Sequence, residues 1–264
     1  MTAPDAKAGL PAPAGAEAAA LARLYDLDLA EDPGDDIELY LALAERTGGP
    51  ILELAAGTGR IVRPLAAAGH LVTALDIDPA MLARLGANAP AGVTTIEADL
   101  TTWRPPQAAF RLAILGLNAL FLLAERHQQR AGLETLCAAL LPGGLAVVDI
   151  WLPDPADLAR YDQRLLLEYV RIEPETGRTV TKSVAALHDA ATATVLLTSI
   201  YDEGRPGEPV TRWIRRDLLR LVGAGELVDL ARSAGLEVET LAGDYGLEPL
   251  GPGAERAILV ARRP

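Results

Sequence analysis

The sequence is poor in several residue types, and each shortage excludes a class of protein. Only one of its 264 residues is cysteine, Cys137, so no disulfide can form within the chain. Lysine occurs only at Lys7 and Lys182, and the formal net charge is −12. Duplex binding needs several cations that neutralise phosphates, and the densest basic cluster here is the pair Arg215 and Arg216. We therefore expect no nucleic-acid partner.

Long hydrophobic runs and leader-like patterns are also missing. Half of the residues are hydrophobic, which suffices for a core and excludes extensive disorder. The longest apolar run, over residues 112–123, is broken by Gly116 and Asn118 and is too short to span a bilayer. No basic segment followed by an apolar stretch marks the N-terminus. These features predict a cytoplasmic protein with no membrane partner.

Apolar periodicity divides the chain into a core and an insert. Residues 1–18 predict a mobile arm, and residues 19–152 predict the main part of the core. Short apolar strands alternate there with helical segments, which indicates a parallel sheet covered by helices on both faces. Residues 155–222 show strand-like runs between turns, the last over residues 210–214, and predict an inserted antiparallel sheet. The alternation resumes over residues 223–264, which complete the α/β core.

Glycines and carboxylates follow the predicted strands where an open parallel sheet binds its ligands. After the first strand, Gly57 and Gly59 permit a tight turn and a close approach of ligand to backbone. The second strand ends in Asp76, whose carboxylate can accept hydrogen bonds from both hydroxyls of a ribose. Asp99 follows the third strand and can meet the amine of an adenine, while the N–H of Leu100 meets a ring nitrogen.

Together these motifs resemble those of the class I S-adenosylmethionine (SAM)-dependent methyltransferases. Residues 53–60 resemble the first motif, residues 117–118 the strand-four motif, and residues 141–144 the turn before strand five. The resemblance covers about residues 36–152 and 223–264. It implies a Rossmann-like sheet with a reversed C-terminal hairpin, and SAM as cofactor. The cofactor contacts that it implies are Tyr25, Glu53, Ala55, Gly57, Gly59, Arg60, Asp76, Ile77, Met81, Asp99, Leu100, Leu117 and Asn118.

A second resemblance concerns the segments that flank this core. The tripeptide at residues 24–26 and the insert resemble those of bacterial small-molecule methyltransferases, such as aminosugar N-methyltransferases and glycine N-methyltransferase. It implies that the two N-terminal helices act as a lid, with Tyr25 covering the cofactor. It also implies that the insert helps to cover the cofactor and to shape a pocket for a small-molecule acceptor.

The acceptor side offers candidates without a motif. Trp151, Tyr201 and Trp213 are candidate pocket walls, Arg212 a candidate polar contact, and His188 a candidate base. An ordinary turn histidine explains His188 as well. No cluster of His, Asp and Glu has metal-ligand spacing, so we expect no metal. N- and O-methylation by in-line transfer both stay open, and the insert serves as an acceptor roof or as the interface of a homodimer.

Two departures from known motifs bear on the alternatives. Val62 stands where a dinucleotide-binding fingerprint has its third glycine, which disfavours an NAD-dependent oxidoreductase. Ala55 stands where the methyltransferase family often has glycine, and alanine fits that turn if its φ is negative. A catalytically silent SAM-binding module remains the other alternative to an enzyme.

Overall fold

A computed structural model describes residues 14–31 and 34–264. Within these residues strands and helices alternate in the core, as the sequence predicts, and none of the helices is long and apolar enough to cross a membrane. The helices are α1 (Gly15–Leu29), α2 (Asp35–Thr47), α3 (Val62–Ala67), α4 (Pro79–Ala87), α5 (Arg126–Ala139), α6 (Pro155–Tyr161) and α7 (Ala224–Ser233), with a 3₁₀ helix at Ala119–Leu122. The strands are β1 (Ile51–Leu54), β2 (Val72–Asp76), β3 (Val93–Glu97), β4 (Phe110–Leu115), β5 (Leu140–Trp151), β6 (Leu165–Ile172), β7 (Thr179–Asp189), β8 (Thr194–Gly204), β9 (Thr211–Arg220), β10 (Glu237–Ala242) and β11 (Arg256–Arg262).

The central sheet has the strand order β10-β11-β5-β4-β1-β2-β3. Strands β1 to β5 pair in parallel, whereas β11 pairs antiparallel with both β5 and β10. This arrangement confirms the Rossmann-like sheet and its reversed C-terminal hairpin. The strand order reverses between β1 and β4, so the carboxyl ends of these two strands flank a crevice.

Both faces of the central sheet are buried, because each strand alternates its side chains between two hydrophobic layers. Leu52 and Leu54 of β1 join one layer, which includes Leu136 of α5. Ile51 points the other way and joins a second layer, which includes Leu65 of α3. All five side chains are fully buried. Double-sided burial explains why the strands are continuously apolar and end abruptly at the polar residues of the crevice.

The insert is an antiparallel sheet in the order β6-β7-β8-β9, as the sequence predicts. It is preceded by α6, which the apolar pattern did not predict. The signals for α6 are local: the Asp154 side chain accepts hydrogen bonds from the N–H groups of Ala156 and Asp157, and Pro155 takes the first helical position. Strand β9 reaches Arg220 instead of ending within residues 210–214.

Helix α1 packs on the insert and not only on the core. Leu21, Leu24 and Leu27 recur on one face of the helix and are buried against Val180 and Tyr201 of the insert. The helix begins at Gly15, inside the segment expected to be a mobile arm; residues 1–13 lie outside the described residues. The lid segment and the insert therefore share a hydrophobic cluster of their own.

Hydrogen bonds to Asp28 reinforce this packing near the end of α1. Its carboxylate accepts from the Tyr169 hydroxyl at 2.6 Å, the Tyr201 hydroxyl at 2.7 Å and the Lys182 ammonium at 2.9 Å. Bonds to a charged acceptor are stronger than those between neutral groups. The insert is thereby fixed to α1 across three of its strands, β6, β7 and β8.

Two glycines near the first motif test how tightly this core is packed. A Cβ at Gly59, whose φ is +87°, would lie 2.3 Å from Cδ1 of the fully buried Leu85. Overpacking costs about 1–3 kcal/mol and a left-handed alanine about 1–2 kcal/mol. We expect Gly59→Ala to lower the free energy of unfolding by at least about 2 kcal/mol in denaturant titrations. The control Gly86→Ala meets open space in α4 and should raise stability by up to about 1 kcal/mol; equal effects would contradict the packing.

Candidate functional site

A cavity of about 990 Å³ opens at the carboxyl ends of β1, β2 and β4. The core forms its floor, and α1, β8 and β9 cover it. Twelve of the thirteen residues assigned to the cofactor by resemblance line it: Tyr25, Glu53, Ala55, Gly57, Arg60, Asp76, Ile77, Met81, Asp99, Leu100, Leu117 and Asn118. The thirteenth, Gly59, packs against Leu85 and shapes the turn from behind.

The turn after β1 brings backbone close to the cavity. Ala55, Gly57 and Gly59 all adopt positive φ, of 55°, 54° and 87°. The condition of a negative φ at Ala55 is therefore not met: alanine here accepts a left-handed conformation that glycine would adopt without strain. The turn is held in part by the Gly57 N–H, which donates to Oδ2 of Asp76 at 2.7 Å.

Asp76 lies at the end of β2 and is almost fully buried. Its Oδ1 accepts from the N–H of Asp78 at 2.8 Å and its Oδ2 from the N–H of Gly57. Burial raises the pKa of the carboxyl, and these backbone donors oppose the rise. Each carboxylate oxygen can accept a second hydrogen bond, so the side chain can both fix the turn and meet the hydroxyls of a ribose.

Asp99 also combines a structural contact with a place in the cavity wall. Its Oδ1 accepts from both the N–H and the hydroxyl of Thr101, each at 2.7 Å. These bonds close a turn after β3 that presents Leu100 to the same cavity. The turn-capping role and a ligand contact are therefore compatible in one residue.

Glu53 is the most electrostatically strained group of the site. It is buried on β1, and its Oε2 has no hydrogen-bond partner among the described residues. Burial raises the pKa of the carboxyl well above its ordinary value, and the nearby Asp76 and Asp36 raise it further. Arg60 opposes the shift, but its guanidinium is shared with Asp36 through bonds of 2.7 and 2.8 Å. A buried oxygen of this kind fits a cationic ligand group.

A second buried carboxylate shapes the opposite wall. Leu117 and Asn118, which follow β4, have positive φ of 52° and 60°. The N–H of Leu117 donates to Oδ1 of Asp149 at 2.7 Å, and the side-chain oxygen of Asn118 accepts from the backbone N–H of Trp151 at 2.5 Å. Strand β5 thus holds two strained residues in place along the cavity.

Tyr25 of α1 covers the glycine-rich turn. Its Cε1 lies 3.6 Å from the position that a Cβ on Gly57 would occupy. Burial, opposed by Arg215 and reinforced by Glu53 and Asp76, raises the pKa of its hydroxyl to about 12. The ring therefore stays neutral at physiological pH and lies over the acidic end of the cavity.

The aromatic residues expected to wall the acceptor lie elsewhere. Tyr201 and Trp213 face each other across β8 and β9, on the face that also borders the cavity. Helix α1 covers this part of the sheet, so Tyr201 is buried beneath it and Trp213 packs beside it. Trp151 packs against the core layer. None of the three lines the cavity.

The two polar acceptor candidates are also corrected. The exposed Arg212 forms a paired contact with Asp202, with both bonds at 2.7 Å. His188 lies on β7, two strands away from β9, and its backbone N–H donates to Asp162. Neither residue lines the cavity, so His188 is not placed to act as its base.

Sequence reasoning missed the residues that the insert does contribute. They follow the predicted strand end on β9 and include Arg215 and Asp217, whose side chains are bonded to each other at 2.8 Å. The signal was present, because alternation continues as Trp213, Arg215, Asp217 and Leu219 on one face. Charged residues interrupted the apolar pattern and made the strand look shorter. Among the described residues, no group of three His, Cys, Asp or Glu side chains is placed to hold a metal.

Comparison with known proteins agrees with this geometry. Residues 51–144 match a family model described as a methyltransferase domain. The mycinamicin-resistance protein MyrB of Micromonospora griseorubida is 39% identical over 69 residues, 26% of this chain and 22% of that protein. The demethylmenaquinone methyltransferase of Clavibacter sepedonicus is 33% identical over 132 residues, 49% of this chain and 52% of that protein. The chain thus spans at most about half the length of these curated relatives.

Solved structures match over more of the chain. The CcbJ methyltransferase from Streptomyces caelestis has a TM-score of 0.75 and 23% identity, covering 92% of this chain and 96% of its own. The sugar N-methyltransferase KedS8 from a Streptoalloteichus species has a TM-score of 0.74 and 18% identity, covering 100% and 98%. CalS10, an amino pentose methyltransferase from Micromonospora echinaspora solved with SAM bound, has a TM-score of 0.69 and 20% identity, covering 91% and 97%.

The fold, the cavity and the family match all agree with the SAM site that the motifs predict. Residues 51–144 match a methyltransferase domain, and the chain has the fold of the SAM-dependent class I enzymes. The resemblance read from the motifs is thereby confirmed. These findings disfavour the alternative of an NAD-dependent oxidoreductase.

Removing the charge of Glu53 should stabilise the folded chain and weaken its binding of SAM. A raised pKa means that the folded chain gains stability below the unfolded value of 4.5 and loses it as pH rises through the folded pKa. Glu53→Gln abolishes that loss, so its melting temperature without ligand should exceed that of the wild type increasingly as pH rises from 4 to 8. Its affinity for SAM should fall roughly tenfold or more, since a bond to a charged group is worth about 1.5–3 kcal/mol. Affinity is measured by titration calorimetry and stability by melting curves. A variant in which affinity and melting temperature both rise or both fall would contradict this assignment.

Removing Asp149 should destabilise the whole core. Asp149→Ala leaves the buried Tyr40 hydroxyl and the Leu117 N–H without an acceptor. Each buried donor that loses its acceptor costs roughly 1–3 kcal/mol. We expect a loss of about 3 kcal/mol in urea unfolding. Glu239→Ala is the matched control, because its carboxylate pairs with Arg262 at the surface and should cost less than about 1 kcal/mol. Equal losses would show that Asp149 adds nothing beyond a surface ion pair.

Proposed function

We propose that the chain is a SAM-dependent N-methyltransferase whose acceptor is an amino group on a small sugar-like molecule. The observation that carries this proposal is the single cavity walled jointly by the strand ends and by β9 of the insert. The neighbours that align over both parts include KedS8, described as a sugar N-methyltransferase, and CalS10, described as an amino pentose methyltransferase.

The described residues fit the cofactor. When bound, SAM supplies an activated methyl group, so the protein mainly binds and orients the reactants. The unpartnered, buried Oε2 of Glu53 fits the cationic amine of its methionine part. Asp76 would hold the ribose hydroxyls, and Asp99 with the Leu100 N–H would hold the adenine. Gly57 leaves room for the ligand to approach the turn.

The charges around the cavity favour an amine acceptor. Six acids line the cavity, and only three arginines (Glu17, Glu53, Asp76, Asp78, Asp99 and Asp217 against Arg60, Arg215 and Arg216). This excess of acids attracts cations and disfavours anions. No histidine, cysteine or lysine is among the described residues of the lining. An amine that has lost its proton needs orientation and no strong base, whereas a hydroxyl needs a base to become nucleophilic.

Methyl transfer from labelled SAM tests the proposal. We expect label in amino sugars and none in matched sugars that carry hydroxyl in place of the amine. SAM at 100 times its dissociation constant should stabilise the protein by about 2.7 kcal/mol, and NAD should not. Asp76→Asn should weaken SAM binding about tenfold or more while the chain stays folded.

Each other outcome has a distinct meaning. Label in the hydroxyl sugars alone would overturn the N-methylation assignment. SAM binding without labelling of any acceptor in a broad panel would favour a silent binding module. A thermal shift with NAD and none with SAM would overturn the cofactor assignment itself.

A further inference from the structure

A polar pair on the insert reaches the cofactor end of the cavity. The face of β9 that borders α1 and the cavity carries Trp213, Arg215 and Asp217 in alternate positions. Trp213 packs beside α1, whereas Arg215 and Asp217 line the cavity. Nε of Arg215 donates to Oδ2 of Asp217 at 2.8 Å, and the two side chains are 26% and 21% exposed.

Arg215 also contacts the lid. Its guanidinium carbon lies 5.8 Å from the centre of the Tyr25 ring, within the range of a cation–π interaction. The same ring lies beside the glycine-rich turn, where Cε1 of Tyr25 is 3.6 Å from the position that a Cβ on Gly57 would occupy. Asp217, Arg215, Tyr25 and Gly57 therefore form a continuous row of contacts from the insert to the cofactor turn.

We infer that Arg215 is a positioning residue for cofactor binding, which holds the Tyr25 ring over the glycine-rich turn while Asp217 orients its guanidinium. This inference rests on the proposed function, because it takes the cavity to be the SAM site. It assigns part of the cofactor affinity to Arg215 of the insert, a residue that the sequence motifs do not include.

The role of Arg215 is separable from the docking of α1. The helix is anchored to the insert by Arg23, whose guanidinium nitrogens lie 2.8 Å from Glu173 and 2.8 Å from Glu203, and by the bonds to Asp28. None of these contacts involves Arg215. Its loss therefore leaves these anchors of α1 in place, and removes the cation near the Tyr25 ring together with its bond to Asp217.

The test is a double-mutant cycle on the affinity for S-adenosylhomocysteine, measured by titration calorimetry on the full chain. Arg215→Met and Tyr25→Leu should each weaken binding roughly three- to thirtyfold, the size expected of a partly buried cation–π contact. Because the two residues act together, the double variant should bind about as weakly as the worse single variant. Arg215→Lys keeps the cation but not the directed bond to Asp217, and should restore part of the affinity.

Arg212→Met is the matched control. Arg212 lies on the same strand and pairs with Asp202 at 2.7 Å, but it is exposed and away from the cavity. We expect unchanged affinity for this variant, and melting temperatures without ligand within a few degrees for both arginine variants.

Three results would overturn the inference. Losses that multiply in the double variant would show that Arg215 and Tyr25 act independently. A loss in Arg212→Met equal to that in Arg215→Met would indicate a general charge effect, and no loss in Arg215→Met would remove the role. An Asp76→Asn arm separates this failure from failure of the proposed function. If the wild type does not bind S-adenosylhomocysteine, or binds it as well as Asp76→Asn does, then the cofactor site itself is misplaced.

Discussion

The buried carboxylate of Asp149 is the contact on which the crevice depends. It lies on β5 with no exposed surface, and it joins parts of the chain that are far apart in sequence. It accepts from Tyr40 of α2 at 2.8 Å, from Tyr245 at 3.0 Å, from Arg256 of β11 at 3.3 Å and from the N–H of Leu117 at 2.7 Å. A carboxylate can be buried only if donors surround it, so these four elements must meet at one point. That requirement fixes the left-handed turn after β4 and hence one wall of the cavity.

The opposite wall of the cavity contains buried carboxyl groups that lower the stability of the folded chain. Glu53 and Asp76 are both buried, and Asp76 raises the electrostatic cost of ionising Glu53. A chain selected only for stability would not leave Oε2 of Glu53 without a partner, since an unsatisfied buried polar atom is costly. The arrangement makes sense if a cation completes the site. Electrostatic strain of this kind is typical of binding-site residues whose missing partner is supplied by a ligand.

Much of the floor of the site could be predicted from the sequence, and most of the roof could not. Asp76 and Asp99 follow strands, and parallel topology alone brings strand ends to one edge. Tyr201 and Trp213 were predicted to wall the acceptor, but the docking of α1 covers their end of the sheet face. That docking is a long-range packing choice, which local pattern does not encode. Arg215 escaped notice because a charged residue on a strand was taken for the end of the strand.

The face of the insert sheet that borders α1 therefore both docks this helix and lines the cavity. The contacts that join α1 to the insert differ in strength from those that join it to the core. At one end Asp28 of α1 accepts three hydrogen bonds from the insert, each worth roughly 1.5–3 kcal/mol to a charged acceptor. The link from this unit to the core includes Arg84 of α4, which pairs with Asp26 of α1 and with the half-exposed Glu175 of the insert. Solvent-accessible ion pairs contribute at most about 1 kcal/mol each. Separating α1 from the insert would thus cost more than breaking the Arg84 pairs.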